Sequence, residues 1–223
     1  MILKVLNKKA ETKDIFSLIL EKPEGFRFYP GQYLDIELPV NDSLGNTRAF
    51  TISSSPSEDF LMITTKKGIS QFKKTLYKLK AGDKINSSHP AGTFTLDETE
   101  SAVFLAGGIG ITPFRSIIKY ALDQNLKTPI TLIYSNSDNN FLFKKELDSW
   151  KKVYPKLTIY YIVTSKDSRL NAQKLRSILH TTNYLLPIHY LAGPPAMVDD
   201  FESMLLNLRV DPTNIRTDRF DGY

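Results

Sequence analysis

The chain contains no cysteine among its 223 residues. This absence excludes disulfide bonds, zinc sites built on thiolates and cysteine-ligated iron–sulfur clusters within the chain. Histidine is scarce too, and the spacing of His89, His180 and His189 matches no metal-binding motif. We therefore predict no metal site.

Long apolar segments are also missing, since no run of the sequence is long enough to cross a bilayer. The first residues, Met-Ile-Leu-Lys-Val-Leu-Asn-Lys-Lys, have neither the apolar core nor the small-residue cleavage site of an export signal. We therefore expect a cytoplasmic protein without a membrane span. Hydrophobic residues make up 41% and charged residues 24%, which is typical of a globular protein, and the length suits two domains.

Acidic residues are nearly absent from one segment, residues 66–84, whereas the whole chain has a net charge of +5. Against the single acid Asp83 this segment has seven lysines, namely Lys66, Lys67, Lys73, Lys74, Lys78, Lys80 and Lys84. Such a basic segment can bind an acidic protein or anionic phosphates, or it can simply be a solvated helix face. No motif that reads nucleic acid accompanies it, so we predict no nucleic-acid partner.

The first hundred residues have the pattern of short β-strands separated by turns. Strands are predicted at residues 2–6, 15–20, 32–38, 49–52 and 60–65. One helix is predicted after Ser70, which can cap it, and before Gly82. Its apolar face would consist of Phe72, Leu76 and Leu79. This pattern predicts a small antiparallel β-barrel over residues 1–99, which ends in the polar segment 96–101.

From residue 100 the pattern changes to alternating strands and helices. Strands are predicted at 103–106, 130–134, 157–163, 190–192 and 215–217, and helices at 113–125, 143–153, 171–180 and 195–208. Five strands with four intervening helices indicate a parallel five-stranded α/β domain over residues 100–223. Ligands of such sheets bind at the carboxyl ends of the strands.

Two glycine-containing turns follow strands of this second domain. The first contains Gly107, Gly108 and Gly110, followed by Thr112 as the expected helix cap and Pro113 as the first helical residue. A strand, a glycine-rich turn and a helix N-terminus offer backbone N–H groups to a phosphate, although the glycines can equally serve tight packing. The second turn, residues 193–197, is expected at the same edge of the sheet.

A cation, an aromatic ring and two hydroxyls occur together in the segment 48–54 of the first domain. Arg48 and Phe50 point to the same side of a strand, so a guanidinium can bind a phosphate while the ring lies on a flat heterocycle. Thr51 can form a hydrogen bond with a ring nitrogen. Taken alone, the segment is also compatible with an ion pair beside a core residue.

The order of these motifs resembles the ferredoxin–NADP(+) reductase-like flavoprotein family. The motifs are R-x-[YF]-[ST]-x-x-S at 48–54, G-x-S at 68–70, G-G-x-G-x-T-P at 107–113 and G-P-P-x-M at 193–197. Pro30-Gly31-Gln32-Tyr33 and Phe143-x-x-Glu146-Leu147 are similar to family elements as well. The resemblance covers nearly the whole chain and implies a flavin-binding barrel followed by an NAD(P)-binding domain.

The resemblance also implies roles for single residues. FAD would be held by Arg48, Ala49, Phe50, Thr51, Ser54, Thr65, Lys67, Gly68, Ile69 and Ser70. NAD(P)H would be held by Gly108, Gly110, Thr112, Pro113, Ser135, Asn136, Gly193, Pro194 and Met197. As catalytic residues, Thr51 would orient the flavin N5 and Asp218 would relay a proton. Phe220 or Tyr223 would cover the flavin.

The sequence departs from the family pattern at several positions. Ala192 stands where many members have cysteine, so no thiol assists hydride transfer, and Phe50 replaces the commoner tyrosine. After the second strand the chain has Ser135-Asn136-Ser137-Asp138 rather than the arginine frequent in NADPH-dependent members. Ser165, Lys166 and Arg169 can still contact a 2′-phosphate. The choice between NADH and NADPH therefore stays open.

The function implied is that of an FAD-dependent NAD(P)H oxidoreductase that passes a hydride to FAD and electrons to a separate acceptor. The acceptor classes are a ferredoxin, a flavodoxin or a cytochrome, and the lysine-rich segment 66–84 favours an acidic one. Two alternatives remain open. One is an NAD(P)H-dependent reductase of free flavins or ferric chelates, and the other is a non-catalytic electron-transfer subunit of a larger complex.

Overall fold

The first half of the chain forms an antiparallel sheet of six strands. The computed structural model describes residues 1–166, 170–179 and 187–220. The strands are β1 (Ile2–Ala10), β2 (Ile15–Glu21), β3 (Tyr33–Glu37), β4 (Thr47–Thr51), β5 (Phe60–Lys66) and β6 (Lys84–Ser87). Their order is β4-β3-β6-β1-β2-β5, and an isolated bridge between Ile52 and Ile63 joins the two outer strands. The sheet thereby closes into the small antiparallel barrel that the sequence predicts.

Helix α1 (Gln71–Lys78) packs against one opening of this barrel. Its buried residues, Phe72 and Leu76, belong to the same apolar core as the inward-facing strand residues. The Ser70 hydroxyl accepts a hydrogen bond from the Lys73 amide, and a carboxylate oxygen of Asp42 accepts one from the Phe72 amide. Both contacts satisfy N–H groups that the first helical turn leaves unpaired. The predicted helix and its cap are confirmed.

Strand β6 is the one element of the barrel that the sequence analysis missed. Only Ile85 and Ser87 of its four residues are buried, and the other two are exposed. The strand pairs with both β1 and β3 through its main chain. Its position therefore depends on backbone hydrogen bonds, which a hydrophobic pattern does not reveal.

The second half of the chain forms a parallel sheet of five strands with helices between them. The strands are β7 (Ala102–Gly107), β8 (Ile130–Asn136), β9 (Leu157–Val163), β10 (Ile188–Gly193) and β11 (Ile215–Arg219), in the order β11-β10-β7-β8-β9. The helices are α2 (Ile111–Asp123), α3 (Lys144–Val153), α4 (Ala172–Leu179) and α5 (Pro195–Asn207). The predicted parallel α/β domain is confirmed, except that His180, the last residue of one predicted helix, lies outside the described residues. None of the helices within the described ranges is long and apolar enough to traverse a membrane.

The strand order of this parallel sheet reverses between β7 and β10. In sheets of this kind, the crevice at the carboxyl ends of the two strands beside the reversal is the usual ligand site. Gly107 ends β7 and Gly193 ends β10. Both predicted turns therefore lie at the same edge of the sheet, as the sequence indicated.

Helix α2 begins earlier than the sequence analysis predicted. Its first residue is Ile111, its N-cap is Gly110, and the cap makes no side-chain hydrogen bond. The prediction that Thr112 caps the helix and that Pro113 is its first residue was wrong. A 3-10 turn over Gly108–Gly110 runs directly into the helix, so the chain is already helical where a capping threonine would need extended backbone.

The two domains are joined by the buried guanidinium of Arg115 on α2. It donates to the Ser53 carbonyl and to the Glu58 carboxylate in the first domain, and to Glu146 on α3, each at 2.9 Å. The ring of Phe143 lies 5.2 Å from the guanidinium carbon. Phe143 and Glu146 of the motif Phe143-x-x-Glu146-Leu147 therefore hold one arginine from two sides.

Candidate functional site

A cleft of about 500 Å³ lies between the barrel and the end of the parallel sheet. We call it the barrel cleft. The first domain contributes Tyr33, Leu44, Thr47, Arg48, Ala49, Phe50, Thr51, Ser70 and Lys73, and the second contributes Asp218, Arg219 and Phe220. Strand β4, the start of α1 and the end of β11 therefore form its walls together.

Positive charge is concentrated at one end of the barrel cleft. Burial, together with the charges of Arg48 and Lys66, lowers the pKa of Lys73 to about 8. The Lys73 ammonium donates a hydrogen bond to the buried hydroxyl of Thr65, and Ser70 beside it caps α1. A bound anion would relieve the repulsion among these cations, so this end of the cleft fits a phosphate.

Arg48 is held at the wall of the barrel cleft by the loop that precedes β4. Its guanidinium lies 2.9 Å from Asp42 and donates to the carbonyls of Leu44, Gly45 and Thr47. Hydrogen bonds from the backbone of Phe72 and Leu44 are the main cause of a lowered Asp42 pKa, so the carboxylate stays ionised. Asp42 thus ties Arg48 to the start of α1.

The ring of Phe50 lies mainly in the barrel core, because β4 turns alternate residues inward. It is 2% exposed and stacks on Phe72, with centroids 6.1 Å apart. The Lys73 ammonium lies 5.0 Å from the Phe50 centroid. Phe50 therefore offers little of its ring to the cleft, whereas Thr51 at the end of β4 is half-buried and lines it.

Several predicted flavin-binding residues lie away from the lining of the barrel cleft. Ser54 is fully buried, its hydroxyl accepts from the Met62 amide, and its carbonyl accepts from Ser116 on α2. Its observed contacts are therefore structural ones at the domain junction. Lys67, Gly68 and Ile69 are exposed in the loop before α1. The cofactor contacts assigned to these four residues, and to the buried Thr65, stay predictions.

Asp218 lies where the barrel cleft meets a second opening of about 630 Å³ that includes Gly92, Phe94 and Arg216. It is the fourth residue of β11 and lies beside Ala192 in the parallel pairing. Burial raises the pKa of Asp218 to about 6. The carboxyl can therefore hold or release a proton close to neutral pH, between two solvent-accessible spaces.

The end of β11 connects the barrel cleft to the second glycine turn. Phe220 lines the barrel cleft, and its backbone N–H donates to the carbonyl of Gly193 at 3.0 Å. Tyr223, the other aromatic predicted to cover a flavin, lies outside the described residues. Of the two predicted aromatics, Phe220 is therefore the one described beside this cleft.

A further cleft of about 380 Å³, the nucleotide cleft, opens at the reversal point of the parallel sheet. Its lining residues are Gly107, Gly108, Ser135, Asn136, Ser137, Thr164, Leu170, Pro194, Ala196, Met197, Asp200, Phe201 and Met204. Gly193 has a φ of +153°, and a Cβ there would lie 2.6 Å from the Met197 methyl group. Only glycine allows the chain to turn so closely against α5.

Gly110 lies where α2 packs closely against β10. A Cβ on it would lie 2.1 Å from the carbonyl oxygen of Ala192, so α2 could not start so close to β10 with any larger residue. Gly110, Thr112 and Pro113 are buried and do not line the cleft. For this glycine, tight packing is the role that the contacts support. The nucleotide contacts assigned to these three residues stay predictions.

The sequence analysis missed several residues that shape the two clefts. The buried Tyr134 donates its hydroxyl to the Gly108 carbonyl at 2.9 Å and so holds the first turn. Asn136, which was predicted to hold the dinucleotide, donates its amide to the carbonyl and carboxylate of Asp138 at 3.1 Å, which orders the loop after β8. Tyr33, Leu44 and Lys73 in the barrel cleft, and Asp200, Phe201 and Met204 in the nucleotide cleft, were missed as lining residues. Tyr33 belongs to the motif Pro30-Gly31-Gln32-Tyr33, whereas no motif marks the other five, because each reaches its cleft only through the fold.

Both halves of the chain match known family models. Residues 2–111 match the model described as an FAD-binding domain, and residues 104–203 match the oxidoreductase NAD-binding domain. The two matches follow the order of the barrel cleft and the nucleotide cleft along the chain.

Curated relatives and solved structures agree with these matches. The flavohemoprotein of Bacillus cereus is 27% identical over 97% of this chain and 60% of its own length. The toluate 1,2-dioxygenase electron transfer component of Pseudomonas putida is 28% identical over 86% of this chain and 59% of its own length. The chain thus spans about three fifths of the curated relatives it matches.

A ferredoxin NADP+ reductase from Neisseria gonorrhoeae, solved with bound FAD and NADP, has the same fold. Its TM-score is 0.81 at 20% identity, and the likeness covers 98% of both chains. Together with the two family models, which extend from residue 2 to residue 203, this fold agrees with the motifs found in the sequence. The chain belongs to the ferredoxin–NADP(+) reductase-like family of FAD- and NAD(P)-binding oxidoreductases.

Proposed function

We propose that this chain passes a hydride from NAD(P)H to FAD and releases the electrons to a separate acceptor protein. One observation carries the proposal. Asp218 of β11 and Phe220, the residue that follows this strand, line the barrel cleft, while the Phe220 amide is bonded to the Gly193 carbonyl beside the nucleotide cleft. A single strand end therefore separates the two binding regions, which is the proximity that direct hydride transfer needs.

The barrel cleft fits FAD by the chemistry of its lining. Arg48, Ser70 and Lys73 would hold the diphosphate, since two cations and a helix N-terminus meet there. Thr51 and the exposed edge of β4 would position the flavin ring. When bound, FAD supplies a group that accepts two electrons as a hydride and gives them up singly.

The residues around the strand end would control protons and geometry. Asp218 holds a proton at slightly acid pH because burial raises its pKa to about 6, so it is suited to donate one towards the cleft. Ala192 beside it provides no thiol. The remaining contribution of the chain is to hold the nicotinamide against the ring, which the turn at Gly193, Pro194 and Met197 would do.

The domain division follows from the same assignment. Residues 1–99 would bind FAD and residues 100–223 would bind NAD(P)H, with the electron acceptor outside both. One relative is named as the electron transfer component of a dioxygenase, which supports a separate electron acceptor, and we propose a protein of the ferredoxin, flavodoxin or cytochrome type. Lys66, Lys67, Lys74, Lys78 and Lys80 are exposed on or beside α1, whose start lines the barrel cleft. This basic surface favours an acidic acceptor.

The test is the visible spectrum of the purified protein after reconstitution with FAD, followed by anaerobic titration with each reduced dinucleotide. We expect a flavin band that stays with the protein on gel filtration and bleaches on addition of the donor. A protein that binds no FAD, or whose bound FAD is not reduced by either donor, contradicts the proposal. Loss of the colour on gel filtration with reduction of added flavin would indicate a free-flavin reductase instead.

A further inference from the structure

The residues next to the nucleotide cleft determine which of its ends would bind the nicotinamide and which the adenosine. Its end at Pro194 and Met197 lies beside Gly193, which is bonded to Phe220 of the barrel cleft. The nicotinamide has to occupy this end to meet the flavin. The adenosine half must then lie towards the other end, over β8 and β9, where Ser137, Thr164 and Leu170 line the cleft.

The lining of the nucleotide cleft carries one negative charge, on α5 one helical turn beyond Met197. Phe201 and Met204 of α5, with Leu170, give an apolar surface suited to a base. Asp200 of the same helix is exposed and lines the cleft. Among the described lining residues there is no lysine or arginine, so Asp200 sets the charge of the space.

Two neighbouring carboxylates of α5 are paired with an arginine, whereas Asp200 has no ion pair in the part of the chain that the structure describes. Arg219 lies 2.9 Å from Asp199 and 2.6 Å from Glu202, and within the described residues no ion pair involves Asp200. A second carboxylate, Asp138, lies just after Ser137 and is held by the Asn136 amide. Arg219 is therefore already engaged by Asp199 and Glu202, and among the described contacts it makes no ion pair with Asp200.

We propose that the nucleotide cleft selects NADH over NADPH and that Asp200 is the residue that determines this choice. The proposal rests on the proposed function. A ribose 2′-hydroxyl can donate a hydrogen bond to a carboxylate, as acidic residues do in NAD sites. A 2′-phosphate brings nearly two negative charges towards the same carboxylate, and this repulsion weakens binding by roughly tenfold or more.

Calorimetric titration tests the proposal without any redox reaction. The purified protein is titrated with adenosine 5′-monophosphate and with adenosine 2′,5′-bisphosphate, which differ only in the 2′-phosphate. We expect the monophosphate to bind roughly tenfold or more tightly. Asp200→Asn is expected to narrow this ratio severalfold, whereas Glu100→Gln, which removes an exposed charge before β7, leaves it unchanged.

Equal or tighter binding of the bisphosphate by the unaltered protein overturns the proposal. Lys166→Ala and Arg169→Ala then identify the cation that binds the 2′-phosphate; Arg169 lies outside the described residues. An unchanged ratio in Asp200→Asn also overturns it. Anaerobic reduction of bound FAD separates the two claims, because reduction by neither donor refutes the proposed function, whereas equal reduction by NADPH and NADH refutes only this selectivity.

Discussion

The guanidinium of Arg115 lies 2.9 Å from the carboxylate of Glu58, so a buried ion pair connects the two domains. Their side chains are 3% and 13% exposed. Glu146 completes the arrangement from α3, and hydrogen bonds to both carboxylates hold the guanidinium charged. Removing one partner from such a group leaves uncompensated charges in a poorly solvated place.

Arg115→Met should therefore destabilise the protein strongly, by about 3 to 5 kcal/mol. The measurement is the free energy of unfolding from urea titration. Lys152→Met, an exposed lysine at the end of α3, is the matched control and should cost less than about 0.5 kcal/mol. A similar small loss for both variants would mean that the Arg115 contacts do not stabilise the domain junction.

Arg48→Ala should weaken flavin binding more than it harms folding. The variant removes a guanidinium from the phosphate end of the barrel cleft, and a lost charge-assisted hydrogen bond corresponds to roughly tenfold weaker binding. The measurement is the dissociation constant of FAD by fluorescence titration, with circular dichroism as the check on folding. Arg27→Ala, an exposed arginine of the same domain, is the control. Equal flavin content in both variants contradicts the phosphate role.

Asp218→Asn should remove a pH transition from turnover. Because burial raises the pKa of Asp218 to about 6, the carboxyl carries its proton below this pH and loses it above. Because Asp218 can donate a proton only in its protonated form, we expect turnover to fall as the pH rises through about 6. The variant should show a flat profile and turnover at pH 5.5 slower by at least about tenfold. Asp59→Asn, an exposed acid, should retain the transition, and a persistent transition in Asp218→Asn would exclude the role.

His189 should make the fold sensitive to acid. The side chain is fully buried, and neither ring nitrogen has a hydrogen-bond partner among the described residues. Burial lowers its pKa to about 4. Between the unfolded pKa near 6.5 and this value, only the unfolded chain takes up the proton, so stability falls as pH falls through this window.

When the pH is lowered from 7.5 to 4.5, the free energy of unfolding should fall less in His189→Leu than in the unaltered protein. The difference between the two decreases should be about 2 to 3 kcal/mol. Urea titration at both pH values gives the comparison. His89→Leu changes an exposed histidine and should behave like the unaltered protein. The same acid loss in all three proteins would show that other groups dominate.

Reversing charge on α1 should slow electron delivery to an acidic acceptor. Lys74→Glu with Lys78→Glu changes two exposed lysines beside the barrel cleft, and attraction between surface charges weakens as salt screens them. We expect kcat/KM for an acidic ferredoxin to fall at low salt and to lose its salt dependence. The pair Lys151→Glu and Lys152→Glu on α3 is the control. Turnover of the unaltered protein that is independent of salt would contradict an electrostatic docking surface.

Much of the fold could be predicted because its strands carry strong local patterns. The runs that become β7 to β9 are apolar, and Gly107 and Gly193 mark the ends of β7 and β10. Strand β6 could not be found in this way, since its pairing is made by main-chain groups. The start of α2 was misplaced because Thr112-Pro113 has the local signature of a cap, whereas the preceding 3-10 turn decides where the helix begins.

The site was predictable only where its residues are neighbours in sequence. Arg48 and Thr51 of the segment 48–54 both line the barrel cleft, whereas the spacing on the strand had placed Phe50 beside Arg48, and the Phe50 ring lies mainly in the barrel core. The partners of this segment, Asp42 and Phe72, come from a loop and a helix, so the packing of the Phe50 ring could not be foreseen. Asp200 had no motif at all, and its position in the nucleotide cleft depends on how α5 packs.

The barrel is closed by one bridge, between Ile52 and Ile63, and the backbone beside this bridge affects which substitutions a bound ligand would tolerate. The Ile52 amide donates to the Gln32 carbonyl, so the alternation of an antiparallel pair directs the N–H and C=O groups of Ala49 and the N–H group of Thr51 away from β3, towards the open side of β4. These peptide groups are common to every residue type except proline, which has no N–H. A planar ring bound along the open side of β4 would keep its hydrogen bonds to these backbone groups when the surrounding side chains change. Its recognition would therefore tolerate substitutions at these positions.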